Sequence, residues 1–241
     1  MHSHPQLTLA LDAAPAVSFD SFHVDSATAL VRDSMRAFVD GKLNEQQIFL
    51  WGESGTGKTH LLSAACQALS QKGYRVAYIP GEMVNQPGAL DGMEQVELLC
   101  FDDLQRLDHA SEVDVFHCIN RCREAETRLV IAADRAPDQL GLKLADLQTR
   151  LGWGLVSHTQ FMEEDGLRLA FRKEFEARSL EVSDEVLSYV LRRFPRRMAT
   201  LKYVVNTLDD VSLSEQRRIT VPFIKSVFGE AERAALAGRV R

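Results

Sequence analysis

Eight residues, Gly52-Glu53-Ser54-Gly55-Thr56-Gly57-Lys58-Thr59, restrict this chain more than any other stretch. They follow the pattern glycine, four residues, glycine-lysine-threonine. Such a loop curls so that successive backbone N–H groups point inward at phosphate oxygens. The pattern needs a strand before it and a helix after it, and the flanks supply both. Gln47 to Trp51 read as a short buried strand. Beyond the loop, Leu62, Ala65, Cys66 and Leu69 fall at i, i+3, i+4 and i+7, one apolar face of a helix that stops at Gly73. In this setting Lys58 bridges the outer phosphates of a nucleotide, Thr59 offers a hydroxyl to Mg²⁺, and His60 follows at the start of a helix whose dipole adds positive potential.

A second chemical signal lies about 45 residues on. Leu98, Leu99, Cys100 and Phe101 run into Asp102 and Asp103. A continuous apolar run fits a central strand of a parallel sheet, and its carboxyl end is where open α/β sheets bind ligands. Asp102 can hold Mg²⁺ through water, and Asp103 can orient or deprotonate an attacking water. Further strands are expected over residues 75–80, over 128–133 ending on Asp134, and over 155–161. Helices are expected over 110–126, with Val115, Ile119 and Cys122 inward, and over 143–151, carrying Arg150. Strands alternating with helices imply an α/β fold with a doubly wound, five-stranded parallel sheet.

Before the loop, Asp25 or Ser26 is placed to cap a helix through Leu30, Met35 and Phe38. Phe19 and Phe22 either wall a base pocket or pack in the core. From about Glu163 the pattern is purely helical. One helix spans 165–177, a second starts behind Ser183, a third holds Leu201 to Leu208, and a last one follows Pro222. Arg192-Arg193-Phe194-Pro195-Arg196-Arg197 precedes the third; it is either a solvated turn or a source of an arginine for nucleotide phosphates. The organisation expected is an arm over 1–18, an α/β nucleotide-binding domain over 19–162, a small all-α lid over 163–229 and a tail over 230–241. Within the arm, Gln6 leads Leu7, Leu9 and Leu11 in an alternating apolar peptide, suited to a partner's pockets, to an edge strand or to a disordered tail.

Composition narrows the options. The 241 residues carry a net charge of −6, without the basic footprint of a non-specific nucleic-acid binder. Cys66, Cys100, Cys118 and Cys122 read as buried thiols in a reducing compartment. No apolar run approaches a membrane span, and no secretory signal opens the chain, so a cytoplasmic protein without a membrane partner is expected.

Phosphate loop, Asp-Asp strand, Asp134, Arg150 and a helical lid bearing a further arginine resemble, in that order, the AAA+ P-loop NTPases. Phe19-x-x-Phe22, Phe101-Asp102-Asp103, Ala133-Asp134-Arg135-Ala136-Pro137, Arg150-Leu151-Gly152-Trp153-Gly154 and Arg196-Arg197-Met198 narrow the resemblance to the DnaA/Hda subfamily, over roughly residues 19–229. The resemblance implies ADP or ATP with Mg²⁺ as cofactors. Gly52 to Thr59 and His60 would hold the nucleotide, and Asp102 with Thr59 the metal. Asp103 stands at the hydrolytic carboxylate, Asp134 at the first sensor, and Arg196, or Arg197 one residue on, at the second. Arg150 matches the arginine finger that acts in trans on a neighbour's nucleotide.

DnaA itself carries a further helix-turn-helix domain, and its lack here implies no sequence-specific DNA binding. DnaA-like modules of that kind resemble the Hda-type regulators, which switch the initiator off. The peptide 6–11 is similar to their docking peptide for the replicative sliding clamp, the β subunit of DNA polymerase III, with Ala10 where proline is common. The implied function is stimulation of hydrolysis of DnaA-bound ATP on the clamp, with nucleoid or replisome association and a homo-oligomer as a further option. The intact phosphate loop and Asp-Asp pair leave room for ATP turnover of the chain's own. Two alternatives stand beside this: an autonomous ATPase such as a DnaC-like helicase loader, and a nucleotide-gated scaffold tethered to the clamp.

Overall fold

The computed structural model describes residues 17–229, so the peptide 6–11 and the tail 230–241 lie outside the described residues. The first helix, α1 (Ala29–Val39), precedes β1 (Gln47–Trp51), which leads through the glycine-rich loop into α2 (Lys58–Ser70). The chain continues through β2 (Val76–Pro80), α3 (Gly81–Val84), β3 (Leu98–Asp102), α4 (Glu112–Glu124), β4 (Arg128–Ala133), α5 (Ala145–Leu151) and β5 (Leu155–His158). The five strands pair in parallel in the order β2-β3-β4-β1-β5.

The strands read as unbroken apolar runs because both faces of the sheet are covered. Alternate side chains take opposite sides. Ile48, Leu50, Leu98, Cys100, Val130 and Ala132 pack under α1 and α2 with Met35, Phe38, Leu61 and Leu62. Their neighbours Phe49, Leu99, Phe101, Leu129 and Ile131 pack the other way, against Val115, Ile119 and Cys122 of α4 and Leu147 and Leu151 of α5. Each valine, leucine, isoleucine, methionine or phenylalanine among them, fully removed from water, stabilises the fold by about 1.5–3 kcal/mol. The apolar faces expected for α2 and α4 are the buried ones. All four cysteines are buried free thiols, with Cys66 Sγ and Cys100 Sγ 3.5 Å apart between α2 and β3.

Two expectations need correction. The helix expected straight after Asp25 or Ser26 begins at Ala29. Asp25 Oδ1 accepts the N–H groups of Ala27 and Thr28 and the Thr28 hydroxyl, so it closes a turn before the helix instead of capping it. The fifth strand ends at His158, not Phe161. Thr159 makes the last contact to β1, its N–H donating to the Trp51 carbonyl at 2.7 Å, and the register goes no further.

The chain divides into two compact units between Gln160 and Phe161; the composition shift placed this boundary after residue 162. The second unit holds α6 (Glu164–Glu176), α7 (Asp184–Arg193), α8 (Met198–Glu215) and α9 (Val221–Val227). Its core gathers Phe171, Phe175, Leu187, Val190, Leu201 and Phe223. Ser183 caps α7 by accepting the Val186 N–H at 3.3 Å, and Thr220 caps α9 by accepting the Phe223 N–H at 3.3 Å. Among the described residues no helix is long and apolar enough to cross a membrane.

Candidate functional site

The sheet order gathers the chemistry. The loop leaves the carboxyl end of β1, whose neighbour is β4, and β3 follows beyond it. Asp134 at the end of β4 therefore stands between the glycine-rich loop and the Asp102-Asp103 pair at the end of β3.

Gly57 opens α2 at φ +94°, and a Cβ there would lie 2.6 Å from the Phe22 ring. Only glycine permits both that backbone and the aromatic lid over it. Phe22 thus covers the loop and touches the ring of His60, while Phe19 is buried in the core. The N–H groups of Lys58, Thr59 and His60 open the helix and have no intrahelical partner. The hydroxyl of Thr56 donates to the Glu53 carbonyl at 2.8 Å and meets Thr159 Oγ1 at 2.8 Å, which braces the loop from the strand beside it. Lys58 is buried. Its Nζ donates to the carbonyls of Gly52 at 2.6 Å and Glu53 at 3.0 Å. Burial pushes its pKa below the ordinary lysine value, against the opposing pull of Asp103, Asp102 and Asp134.

Asp102 is buried at the centre of a hydrogen-bond network. Its Oδ2 accepts the Thr59 hydroxyl at 2.6 Å and the Tyr78 phenol at 2.5 Å, and its Oδ1 accepts the Asp103 N–H at 3.0 Å. Burial, then the bond to Asp102, pushes the Tyr78 pKa well up, so the phenol stays a donor. Asp103 adopts a left-handed backbone at φ +52°, rare for a residue with a side chain and typical of functional positions. Gln105 ties the carboxylates together. Its Nε2 donates to Asp103 Oδ1 at 3.0 Å, and its Oε1 accepts the Asp134 N–H at 3.1 Å. Asp134 Oδ1 is buried without a hydrogen-bond partner among the described residues.

These residues fit a nucleotide with a hard divalent cation. The loop and helix start offer N–H donors to phosphate. Thr59 and Asp102 bring two oxygens side by side, the ligand type Mg²⁺ takes when most of its shell is water and phosphate. The orphaned Asp134 oxygen calls for a hydrogen-bearing group, such as water, on that side.

Arg150 lies elsewhere. The amide Nε2 of Gln47, at the start of β1, donates to the carbonyls of Arg150, Leu151 and Trp153 at 3.0, 3.1 and 2.9 Å. That pins the Arg150 turn to the amino end of β1, one strand length, about 13 Å, from the loop at its carboxyl end. The Arg150 guanidinium stacks on Trp153, 3.6 Å from the ring centroid, with Phe116 at 5.7 Å. Within the second unit, Arg196 pairs with Glu164 at 3.0 Å, and the Arg197 guanidinium lies 5.9 Å from the Phe161 ring centroid.

Three contributors escape a reading of motifs alone. Tyr78 reaches Asp102 because β2 pairs with β3 in a register that sets Tyr78 beside Cys100. Gln105 and Thr159 act through contacts between distant segments. Their signal in sequence is a polar side chain just past a strand end, which is too common to single them out.

A parallel sheet with a phosphate loop after its first strand, paired carboxylates after its third and a helical second unit defines an AAA+ P-loop NTPase. The chain belongs to the DnaA/Hda family of these proteins. The family described as "Bacterial DnaA ATPAse domain" matches residues 14–158, and that described as "Hda, lid domain" matches residues 164–228. Among solved structures, domain III of the replication initiation protein DnaA from Thermotoga maritima is 23% identical, with a TM-score of 0.78 over 89% of this chain and 96% of that one. AMPPCP-bound DnaA from Aquifex aeolicus is 22% identical, with a TM-score of 0.73 over 83% of this chain and 68% of that one. A RuvB variant from Thermotoga maritima is 18% identical, with a TM-score of 0.68 over 88% and 71%. At these identities the likeness speaks for the fold.

Proposed function

We propose that this chain is a nucleotide-binding regulator of replication initiation that stimulates hydrolysis of ATP held by DnaA. The observation that carries the reading is the position of Arg150, stacked on Trp153 and pinned about a strand length from the chain's own phosphate loop. Such an arginine suits a neighbour's nucleotide, and a finger supplied in trans raises phosphoryl transfer by about 10³–10⁵. The match to the Hda lid family and the AMPPCP-bound DnaA relatives support the choice of partner and of adenine nucleotide.

In the chain's own site, the loop, Lys58 and the α2 start would hold ADP or ATP, with Thr59 and Asp102 holding Mg²⁺. The metal would neutralise charge on the phosphates. Asp103 and Asp134, linked through Gln105, would orient water and read whether a terminal phosphate is present. Arg196 or Arg197 would report the nucleotide to the lid. The peptide 6–11 would tether the protein to the DNA-loaded sliding clamp in the cytoplasm, bringing Arg150 to clamp-associated DnaA.

The test is ATP hydrolysis by DnaA on DNA-loaded clamp, with and without this protein. Stimulation is expected, with near-complete loss on Arg150→Ala, and with loss of clamp binding and of the clamp-dependent stimulation on deletion of residues 6–11. Stimulation that survives Arg150→Ala would refute the finger. Turnover by this protein alone on single-stranded DNA, with no effect on DnaA, would favour the helicase loader. Clamp binding without any effect on hydrolysis would favour the scaffold.

A further inference from the structure

Trp153 carries two guanidinium groups, not one. Arg150 Cζ lies 3.6 Å from the indole centroid and Arg123 Cζ 4.0 Å, so the two cationic centres are at most 7.6 Å apart (3.6 plus 4.0). Neither arginine forms an ion pair with a carboxylate among the described residues, whereas Arg121, two residues earlier on α4, pairs with Glu94 at 3.2 Å. Like charges repel, and a chain of net charge −6 has carboxylates to spare. Two uncompensated guanidiniums on one ring therefore mark a place where an external anion completes the charge balance. On the Arg123 side of the indole lies an open groove of about 350 Å³, lined by Glu45, Gln46, Gln47, Arg123, Trp153 and Gly154 but not by Arg150. Glu45 makes no ion pair with either arginine among the described residues.

The platform is rigid for a physical reason. Gln47 holds three carbonyls of the 150–153 turn. Gly154 sits at φ +74°, where a Cβ would lie 2.3 Å from the Gln47 carbonyl oxygen, so the turn closes against β1 as it could with no other residue. The π system of the indole then attracts and orients both cations, one stacked at 3.6 Å and the other at 4.0 Å from its centroid.

We propose that Arg123 and Arg150 form a two-guanidinium clamp for a polyphosphate chain, with Trp153 as the positioning residue. Arg123 is then a second contact to the nucleotide held by DnaA, an inference that rests on the trans-acting reading of Arg150. Arginine forks pair with phosphate bidentately, and a triphosphate offers more than one phosphate to grip. The division of labour follows from exposure. Arg150, half-buried between Trp153 and Phe116, faces the transferring phosphate. Arg123, exposed at the end of α4, grips a non-transferring one and acts on binding.

Two measurements test this. In the first, the full chain carries Trp51→Phe and Lys58→Ala, so that Trp153 alone reports and the phosphate loop is disabled, and inorganic tripolyphosphate is titrated against Trp153 emission. Saturable binding is expected, with the half-saturating concentration raised about ten- to a hundredfold by Arg123→Ala and by Arg150→Ala, and partly restored by Arg123→Lys. In the second, on otherwise native protein, Arg123→Ala raises the concentration needed for half-maximal stimulation of DnaA by at least about tenfold while the maximal rate falls less. Arg150→Ala instead abolishes the rate. A tripolyphosphate titration indifferent to Arg123→Ala overturns the clamp. Stimulation lost on Arg150→Ala but untouched by Arg123→Ala also overturns it, and leaves the finger standing. Titrations weakened by both variants, with no stimulation of DnaA by the unaltered protein, uphold the anion site and overturn the inactivator reading instead.

Discussion

Glu112→Ala should loosen the segment that leads into α5, and with it the element that presents Arg150. Glu112 is a buried carboxylate at the start of α4, its side chain 2% exposed. It accepts the Lys143 N–H at 3.1 and 3.0 Å on its two oxygens, the Leu144 N–H at 2.7 Å, and lies 2.5 Å from His109 Nδ1. Leu144 is the residue immediately before α5, and no side chain of α5's own caps that end. Removing the carboxylate leaves two backbone N–H groups without their acceptor. A hydrogen bond to a charged group is worth about 1.5–3 kcal/mol net, and with Lys143 exposed and Leu144 half-buried the loss is about 3 kcal/mol. In a chain of this size that corresponds to a fall of about 6–12 °C in melting temperature. Glu112→Gln keeps an acceptor oxygen and should cost about 1 kcal/mol. Thermal unfolding measures both, and amide hydrogen exchange localises the effect to Lys143 and Leu144. A loss under about 1 kcal/mol for Glu112→Ala, with unchanged exchange at both amides, would refute the reasoning. The pH dependence has a definite sign. Burial raises the Glu112 pKa, but the bonds from His109, Leu144 and Lys143 outweigh it and hold the carboxyl below its ordinary 4.5. A depressed folded pKa stabilises fully above the unfolded value, so the contribution is present above pH 4.5 and is lost as pH falls through the lower folded value.

Three further outcomes are expected. Lys58→Ala should abolish measurable ADP and ATP binding in isothermal titration; unchanged ADP affinity would remove the site assignment. Tyr78→Phe deletes a donor to the Asp102 carboxylate and should lower the unfolding free energy by about 1.5–3 kcal/mol, read from the urea midpoint at constant slope. Phe171→Ala empties a fully buried position in the second unit's core and should cost about 3–5 kcal/mol; a proteolysis pattern unchanged from the parent would contradict that packing.

Local chemistry alone determined the strand-loop-helix at 47–70, the Asp-Asp strand end and the helical second unit. The turn glycines, the apolar periods and the Ser183 cap each act within a few residues, so the chain states them in order. Those signals suffice for an α/β class and for naming Lys58, Thr59, Asp102 and Asp103. What the linear order could not supply is who stands beside whom. Asp134 joins the site only because β4 lies between β1 and β3 in the sheet. Tyr78 reaches Asp102 only through the register of β2 on β3. Arg150 and Arg123, 27 positions apart, share one indole because α4 and α5 cover the same face of the sheet. Hydrogen bonds and ring contacts act over a few ångströms. Which distant residues come that close is set by strand order and by helices packing on a common face, and only the tertiary structure decides that.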